Sequence, residues 1–415
     1  MNPQEGTGWR FPPGFLWGAA TAAHQVEGGN RWNDWWQYEQ DGRLPFKSGI
    51  ACDQLARYES DFDMARDMGH NCHRFSIEWS RIEPRDGEFS PDALDLYARI
   101  VAALRDRGLE PVVTLQHFTL PAWFAAGGGW ERKDAADRFA RYVCHVVARL
   151  GPSVTYWLTI NEPTVYVLQG YINGVWPPMR SRAWVRAARV LRHLARAHVA
   201  AFDAIKVLQP RAMVSFAHNA LWIEPCNPDR RLDRLAARVR DYVYNRAFFR
   251  LIGASATSAG SLDYVGLNYY TRCCVRFSGW GPTSLLGRAC AFDHHAHAGP
   301  RSDMGWEIHP RGLAGVLQEF RSLRLPIFVT ENGIATEDDT LRCRFIEAHV
   351  EVLADTIASG VDVLGYIHWS LLDNYEWDRG TTPRFGLAAV DYASQVRTPR
   401  ASARELARIG QASSH

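Results

Sequence analysis

The chain is poor in lysine: among 415 residues only Lys47, Lys133 and Lys206 occur, and arginine supplies nearly all the positive charge. That skew reflects codon usage rather than a binding surface, because acidic residues balance it to a formal charge of +2. So neutral a chain offers no electrostatic case for nucleic acid or an anionic membrane as its partner. Uninterrupted apolar runs long enough to span a bilayer, about 18 residues, are missing. The first residues, MNPQEGTGWRFPPGF, lack the basic stretch and apolar core of a secretory signal. CxxC spacing is absent, and eight cysteines in a chain of this length fall far below the density of a disulfide scaffold. The expectation is a cytoplasmic protein with reduced, mostly packed thiols.

Signatures of metal and cofactor chemistry are missing too: no HExxH, no P-loop, no dinucleotide fingerprint. His294, His295 and His297 cluster, but in a Gly- and Ala-containing stretch without a carboxylate or thiolate pattern, which reads as a solvated loop. No metal and no cofactor is therefore expected.

What the chain does have is one alternation, repeated eight times. Short apolar runs occupy Phe15 to Gln25, Asn71 to Trp79, Pro111 to Phe118 and Thr155 to Glu162. Four more follow at Ala212 to Asn219, Asp263 to Tyr270, Pro326 to Asn332 and Val363 to Ser370. Between them lie amphipathic segments such as SPDALDLYARIVAALRDRG, where Ser90 and Pro91 suit a helix start and Gly108 a stop. DQLARYESDFDMARDMG, KDAADRFARYVCHVVARLG and the Arg-rich stretch from Ala183 to Leu208 have the same character. Strands buried on both faces read as continuous apolar runs, so eight strand-helix units predict a closed (β/α)8 TIM barrel. No linker or shift in composition divides the chain, which argues against an open two-domain sheet. A single domain over residues 1–415 is expected, with flexible ends at 1–10 and 410–415.

In such a barrel the carboxyl ends of the strands converge on one mouth. Here those ends carry Gln25, Arg74, His117, Asn161 with Glu162, His218 with Asn219, Asn268 with Tyr270, Glu331 with Asn332, and Trp369. Burying that many polar groups costs roughly a few kcal/mol each unless they are bonded. A cleft that takes a hydroxyl-rich molecule explains them together. Two glutamates, Glu162 and Glu331, close strands four and seven. Either alone reads as a carboxylate at a helix start. As a pair in one mouth they suit glycosidic cleavage, where one carboxylic acid protonates the leaving oxygen and the other attacks or activates water.

TINEP at 159–163 and VTENG at 329–333 resemble the acid/base and nucleophile signatures of glycoside hydrolase family 1, the β-glucosidase and β-galactosidase family. FLWGAATAAHQVEG, HRFSIEWSRIEP, GLNYYT, HWSLLDNYEW and RFGLAAVDY are similar to the family as well, in family order, from about residue 11 to 400. The resemblance implies a retaining β-glycosidase acting on a small-molecule β-glycoside, with Glu331 as nucleophile and Glu162 as acid and then base. Arg74 and Tyr270, flanking Glu331, would keep it ionised, while burial and repulsion would keep Glu162 protonated. Asn268 would lie beside the nucleophile. By the same resemblance Gln25, His117, Asn161, Glu376 and Trp377 hold the sugar hydroxyls, Asn161 bonding the 2-hydroxyl. Trp369 forms the floor, Phe385 belongs to the same pocket, and Trp306 is an aglycone platform. Trp35, Trp36, Trp157 and Trp184 are expected to lie in the core or on the surface rather than bind.

One departure concerns Phe118, in LQHFTLP, where the family mostly has Trp. Phe keeps a ring but loses the indole N–H, a donor expected to reach the 3-hydroxyl, so a less demanding sugar preference is expected. Glu376 and Trp377 favour an unphosphorylated glycoside. A transglycosylase on the same scaffold and a silent sugar-binding relative are the competing readings, the second disfavoured because both carboxylates are present. Homo-oligomerisation is left open.

Overall fold

The computed structural model describes residues 9–281, 284–290 and 299–412. Eight strands form the barrel: β1 Leu16–Ala20, β2 Cys72–Ser76, β3 Glu110–Thr114, β4 Tyr156–Asn161, β5 Met213–Pro225, β6 Val265–Arg276, β7 Ile327–Asn332 and β8 Val363–Trp369. Each pairs in parallel with the next, and β8 pairs with β1 to close the ring. A helix follows each strand: α1 Gln54–Asp67, α2 Pro91–Asp106, α3 Ala135–Leu150, α4 Trp184–Leu208, α5 Arg231–Asp241, α6 Pro310–Phe320, α7 Asp339–Ala358 and α8 Ala401–Ala412. The expected (β/α)8 barrel is the observed one.

Local chemistry accounts for the element ends. Ser90 Oγ accepts from the Ala93 N–H at 3.2 Å and Pro91 opens α2, while Gly108 beyond its end takes a φ of 71° that a side chain would disfavour. The barrel interior is filled by side chains, among them Cys72, Val112, Leu158, Ala217, Phe328 and Ile367, all fully buried. A larger core lies between strands and helices. Trp157 belongs to it, with its indole N–H donating to Gln209 Oε1 at 3.0 Å, and Trp184 is exposed on α4.

Residues 1–8 and 413–415 lie outside the described residues; Trp9 packs on the core, and α8 runs through Gly410, which sits against Trp17. Two expectations need correction. First, β5 and β6 continue well past the mouth, paired as far as Pro225 opposite Val275. Second, Cys226 and Cys290 form a disulfide, with Cα atoms 6.3 Å apart, rather than being thiols. A short strand, Arg288–Ala289, returns antiparallel along β6. The Cys226 N–H donates to Val275 O and the Cys290 N–H to Cys274 O, both at 2.8 Å, so the extended β6 holds the two sulfurs together. Of the others, Cys52, Cys72 and Cys274 are buried and Cys144 is exposed. His294, His295 and His297 lie outside the described residues.

After β8 the chain crosses the mouth between 370 and 385 with little regular structure, carrying Glu376, Trp377 and Phe385. Asp373 pins this strap. Fully buried, it takes a bidentate pair from Arg400 (2.9 and 2.8 Å) and the Gly386 N–H at 2.9 Å. Asp373→Ala leaves the Arg400 guanidinium without its partner and is expected to cost about 3–5 kcal/mol of stability, read from the urea unfolding midpoint. A midpoint equal to that of the parent protein would reject the anchoring role.

Candidate active site

Strand register brings the polar strand ends together. Asn219 on β5 stands opposite Asn268 on β6, which stands opposite Glu331 on β7. The ladders shift register at just these ends: between Leu158 and Asn161, between Leu267 and Asn268, and between Val329 and Asn332. Such bulges re-aim side chains and terminate pairing, which is what a mouth needs. Glu162 follows β4 with φ 46° and leads through Pro163 into the short helix Pro163–Val167. Phe118 (φ 70°) and Trp377 (φ 51°) also occupy the left-handed region, sparsely populated for bulky residues.

Arg74 lies at the centre, 1% exposed. Its guanidinium contacts Glu331 Oε1, donates to Asn161 Oδ1 at 2.7 Å and Thr330 O at 3.0 Å, and its Nε donates to Thr114 Oγ1 at 3.1 Å. The Tyr270 hydroxyl donates to the other Glu331 oxygen at 2.5 Å. Glu162 has different company: Asn268 Nδ2 and Asn219 Nδ2 both donate to its Oε1, at 2.8 and 2.9 Å. Asn268 also donates to Asn161 Oδ1 at 3.2 Å, so one amide links the two carboxylates' surroundings. Asn268 thus lies beside Glu331 in the strand register and gives its closest amide hydrogen bond to Glu162.

These contacts order the charges. Burial and the negative charge of Glu331 push Glu162 up to about 7, with Asn268 and Asn219 opposing. Burial raises Glu331 as well, but there the opposing groups are the Arg74 cation and the Tyr270 hydroxyl. Glu331 is thus the carboxylate held in contact with a positive charge. Glu376, buried and repelled by Glu331, Asp378 and Glu162, is pushed to about 8, with a hydrogen bond from Gln25 opposing. His117 is held neutral by burial and by Arg74.

Glu162 and Glu331 share a cavity of about 580 Å³ with Gln25, His117, Phe118, Asn161, Tyr270, Trp306, Trp369, Glu376, Trp377 and Phe385. Asn161 Nδ2 meets His117 Nε2 at 3.3 Å, and Gln25 Nε2 donates to Glu376 Oε2 at 3.2 Å. The His117 ring lies parallel to both Trp369 and Trp377, with centroids 5.8 and 6.1 Å away. Trp306 packs on Tyr270 at 5.3 Å. Trp35 and Trp36 stay out of the lining, although Trp35 backs Trp377 at 4.6 Å.

Two strand-end residues turn elsewhere. His218 points into the helix layer between Phe249 and Phe320, at 5.2 and 5.6 Å. Asn332 is used in the layer between strands and helices, donating to Tyr269 O and accepting from Tyr366. Sequence reading missed Tyr244, which donates to Asn219 Oδ1 at 2.7 Å, and Trp176, which packs on Phe118 at 4.9 Å. Nothing in the spacing of either pointed to the mouth. Among the described residues no group of three or more His, Cys, Asp and Glu could hold a metal, and no helix is long and apolar enough to cross a membrane.

Paired carboxylates at the mouth of a (β/α)8 barrel, lined by amides and indoles, define a glycoside hydrolase. The family model described as glycosyl hydrolase family 1 matches residues 8–256 and 253–413, and the chain belongs to that family. A β-glycosidase from Pyrococcus horikoshii superposes with a TM-score of 0.91 at 38% identity, covering 98% of this chain and 96% of that one. The β-glucosidase from Thermotoga maritima, solved in complex with glucoimidazole, gives 0.90 at 29% identity over 97% and 99%. Among curated relatives, β-glucosidase A of Thermotoga maritima is 31% identical over 94% of this chain and 95% of its own. A β-galactosidase of Pyrococcus woesei is 29% identical over 94% of each. The chain is a β-glycosidase that hydrolyses O-glycosyl bonds.

Replacing Glu331 by Gln keeps its shape and removes its charge. Glu331→Gln should lower the Glu162 pKa from about 7 while leaving it above 4.5, because burial, the larger cause, remains. Carbon-13 NMR titration of the labelled carboxyl measures it, and an unchanged value would disprove the coupling.

Proposed function

We propose that the chain hydrolyses terminal non-reducing β-D-glycosides, β-glucosides foremost with β-galactosides and β-fucosides alongside, with retention at the anomeric carbon. One observation carries this reading: the two carboxylates of one cavity are set apart, Glu331 on a guanidinium and Glu162 on neutral amides near pKa 7. Separated pKa values assign acid and nucleophile.

Glu331 attacks the anomeric carbon as Glu162 passes its proton to the glycosidic oxygen, so the aglycone leaves as an alcohol and a glycosyl ester forms. The ester carries no charge, so Glu162 loses one cause of its raised pKa and stays ionised, ready to act as base. It then takes a proton from water, whose oxygen attacks the same carbon and releases Glu331 as carboxylate. Asn161, held by Arg74 and Asn268, is aimed at the 2-hydroxyl, where a hydrogen bond strengthens toward the oxocarbenium-like transition state. Gln25, His117, Glu376 and Trp377 take the other hydroxyls, and Glu376, protonated at neutral pH, both donates and accepts. Trp369 offers an indole face to the sugar's C–H side, with Phe385 beside it. Phe118 presents a ring edge without a donor at the 3-hydroxyl, which suits a tolerant glycone site. Trp306 supports the aglycone.

Tyr244 and Thr330 act one step back, as positioning residues. The Tyr244 hydroxyl occupies Asn219 Oδ1 and the Thr330 hydroxyl occupies Asn268 Oδ1, so both amides must present Nδ2 to Glu162 Oε1. With Oε1 accepting two hydrogen bonds, the catalytic proton belongs on Oε2.

Hydrolysis of p-nitrophenyl β-glycosides followed by NMR should release the β-anomer first; an initial α-anomer would overturn retention. Glu331→Ala should lose at least ~10³-fold in kcat/KM, and Glu162→Ala with azide should yield β-glycosyl azide. Tyr244→Phe should lower kcat/KM about 10-fold for an alkyl β-glycoside and leave a dinitrophenyl glycoside, which departs without a proton, nearly unchanged. Equal losses on both would reduce Tyr244 to packing.

A further inference from the structure

The short helix Ala23–Val26 follows β1 and carries Gln25 into the cavity, while His24 lies behind the lining. Gln25 grips the strap that crosses the mouth. Its amide nitrogen is shared among Tyr375 O at 2.9 Å, Asn374 Oδ1 at 3.0 Å and Glu376 Oε2 at 3.2 Å, and its backbone oxygen accepts from the Tyr375 N–H at 3.2 Å. Gln25 Oε1 and His117 Nδ1 are buried without a protein partner, so this half of the cavity keeps polar atoms for the sugar. The His24 ring packs on the same strap at either side of Glu376. Its centroid lies 5.9 Å from Tyr375, in a T-shaped contact, and 5.9 Å from Trp377, in a nearly parallel plane. Trp35 stands on a third side at 6.2 Å.

Both nitrogens of this ring are pinned. Asn33 Oδ1 accepts from the Trp36 N–H at 2.8 Å, so the Asn33 amide nitrogen faces His24 and meets Nδ1 at 3.0 Å. Nδ1 therefore accepts, and the proton sits on Nε2, which donates to Glu39 Oε1 at 3.0 Å. The anchors are themselves held: Asn33 donates to Glu78 Oε2 at 3.3 Å, and Glu39 Oε2 accepts from the Ser48 N–H at 3.0 Å and hydroxyl at 2.8 Å. His24, Asn33 and Glu39 are all buried. An apolar ring would fill the same space without desolvating any polar group, so packing alone does not call for this arrangement. What the hydrogen bonds add is a fixed ring plane. Trp377 lies against that plane at φ 51°, a conformation a bulky residue keeps only where its surroundings impose it.

We propose that His24 is a positioning residue for the glycone site: its ring, held in one tautomer by Asn33 and Glu39, sets the strap so that Glu376 and Trp377 meet the sugar. His24 touches no substrate atom and moves no proton. A change there acts through Glu376 and Trp377 on the affinity for the glycone, and leaves the chemistry at Glu162 and Glu331 alone. The inference rests on the reading of Glu376 and Trp377 as sugar-binding residues.

Steady-state kinetics on p-nitrophenyl β-glucoside separate this role from packing. His24→Gln keeps a donor for Glu39 and an acceptor for Asn33 while removing the ring. KM should rise about 10-fold, with kcat within about 2-fold of the parent protein. In a Glu376→Ala background the same substitution should change KM no more than about 3-fold, because the main contact it positions is already gone. Glu39→Gln leaves the ring and loosens its anchor; it should raise KM about 3-fold at unchanged kcat, and it decides the matter where His24→Gln does not fold. KM rising equally in both backgrounds, staying at the parent value where Glu376→Ala alone raises it, or kcat falling at unchanged KM would overturn the positioning role and leave the sugar-binding reading intact. An unchanged KM in Glu376→Ala itself would overturn that reading, and the inference with it.

Discussion

The site depends on the contact between Arg74 and Glu331. A guanidinium buried to this degree is tolerable only when its donors are met, and here they reach Glu331, Asn161, Thr330 and Thr114. Those partners come from three other strands, so one side chain crosses the inside of the barrel and ties β2 to β3, β4 and β7. Arg keeps its proton throughout and has the planar geometry for several acceptors at once, which Lys lacks. The surplus of positive charge on one carboxylate makes the second different.

That difference spreads outward as hydrogen-bond direction. Asn161 and Asn268 have their oxygens engaged by Arg74 and Thr330, so their amide nitrogens face His117 and Glu162. Farther out Glu376 is raised by burial first and then by the charges of Glu331, Asp378 and Glu162. Burial raises all three carboxyl groups of the cavity, and the neighbouring charges then separate groups whose side chains are identical. The strap carrying Glu376 is fixed from below by Asp373 and Arg400, which ties the cavity to the closed ring.

Much of this was legible in residue order. Eight apolar runs mark the eight strands closely, Ser90 and Gly108 bracket α2, and the residues ending the runs are mostly the lining of the mouth. Expectations failed where a residue's direction depended on pairing. His218 and Asn219 are adjacent and both polar, yet alternation along β5 sends one to the helix layer and the other to Glu162. Tyr244 sits after α5, in a stretch that reads only as helix. Cys226 and Cys290, 64 residues apart, meet because the extended β6 receives a short returning strand.

Sequence alone determined the barrel, the two glutamates and the composition of the mouth, because those follow from apolar periodicity and from which residue types close each run. Tertiary structure decided which amides hold Glu162, which way they point, and which half of the cavity keeps polar atoms in reserve. Each of these turns on distances of a few ångströms between residues far apart in the chain, set by strand register, bulges and burial.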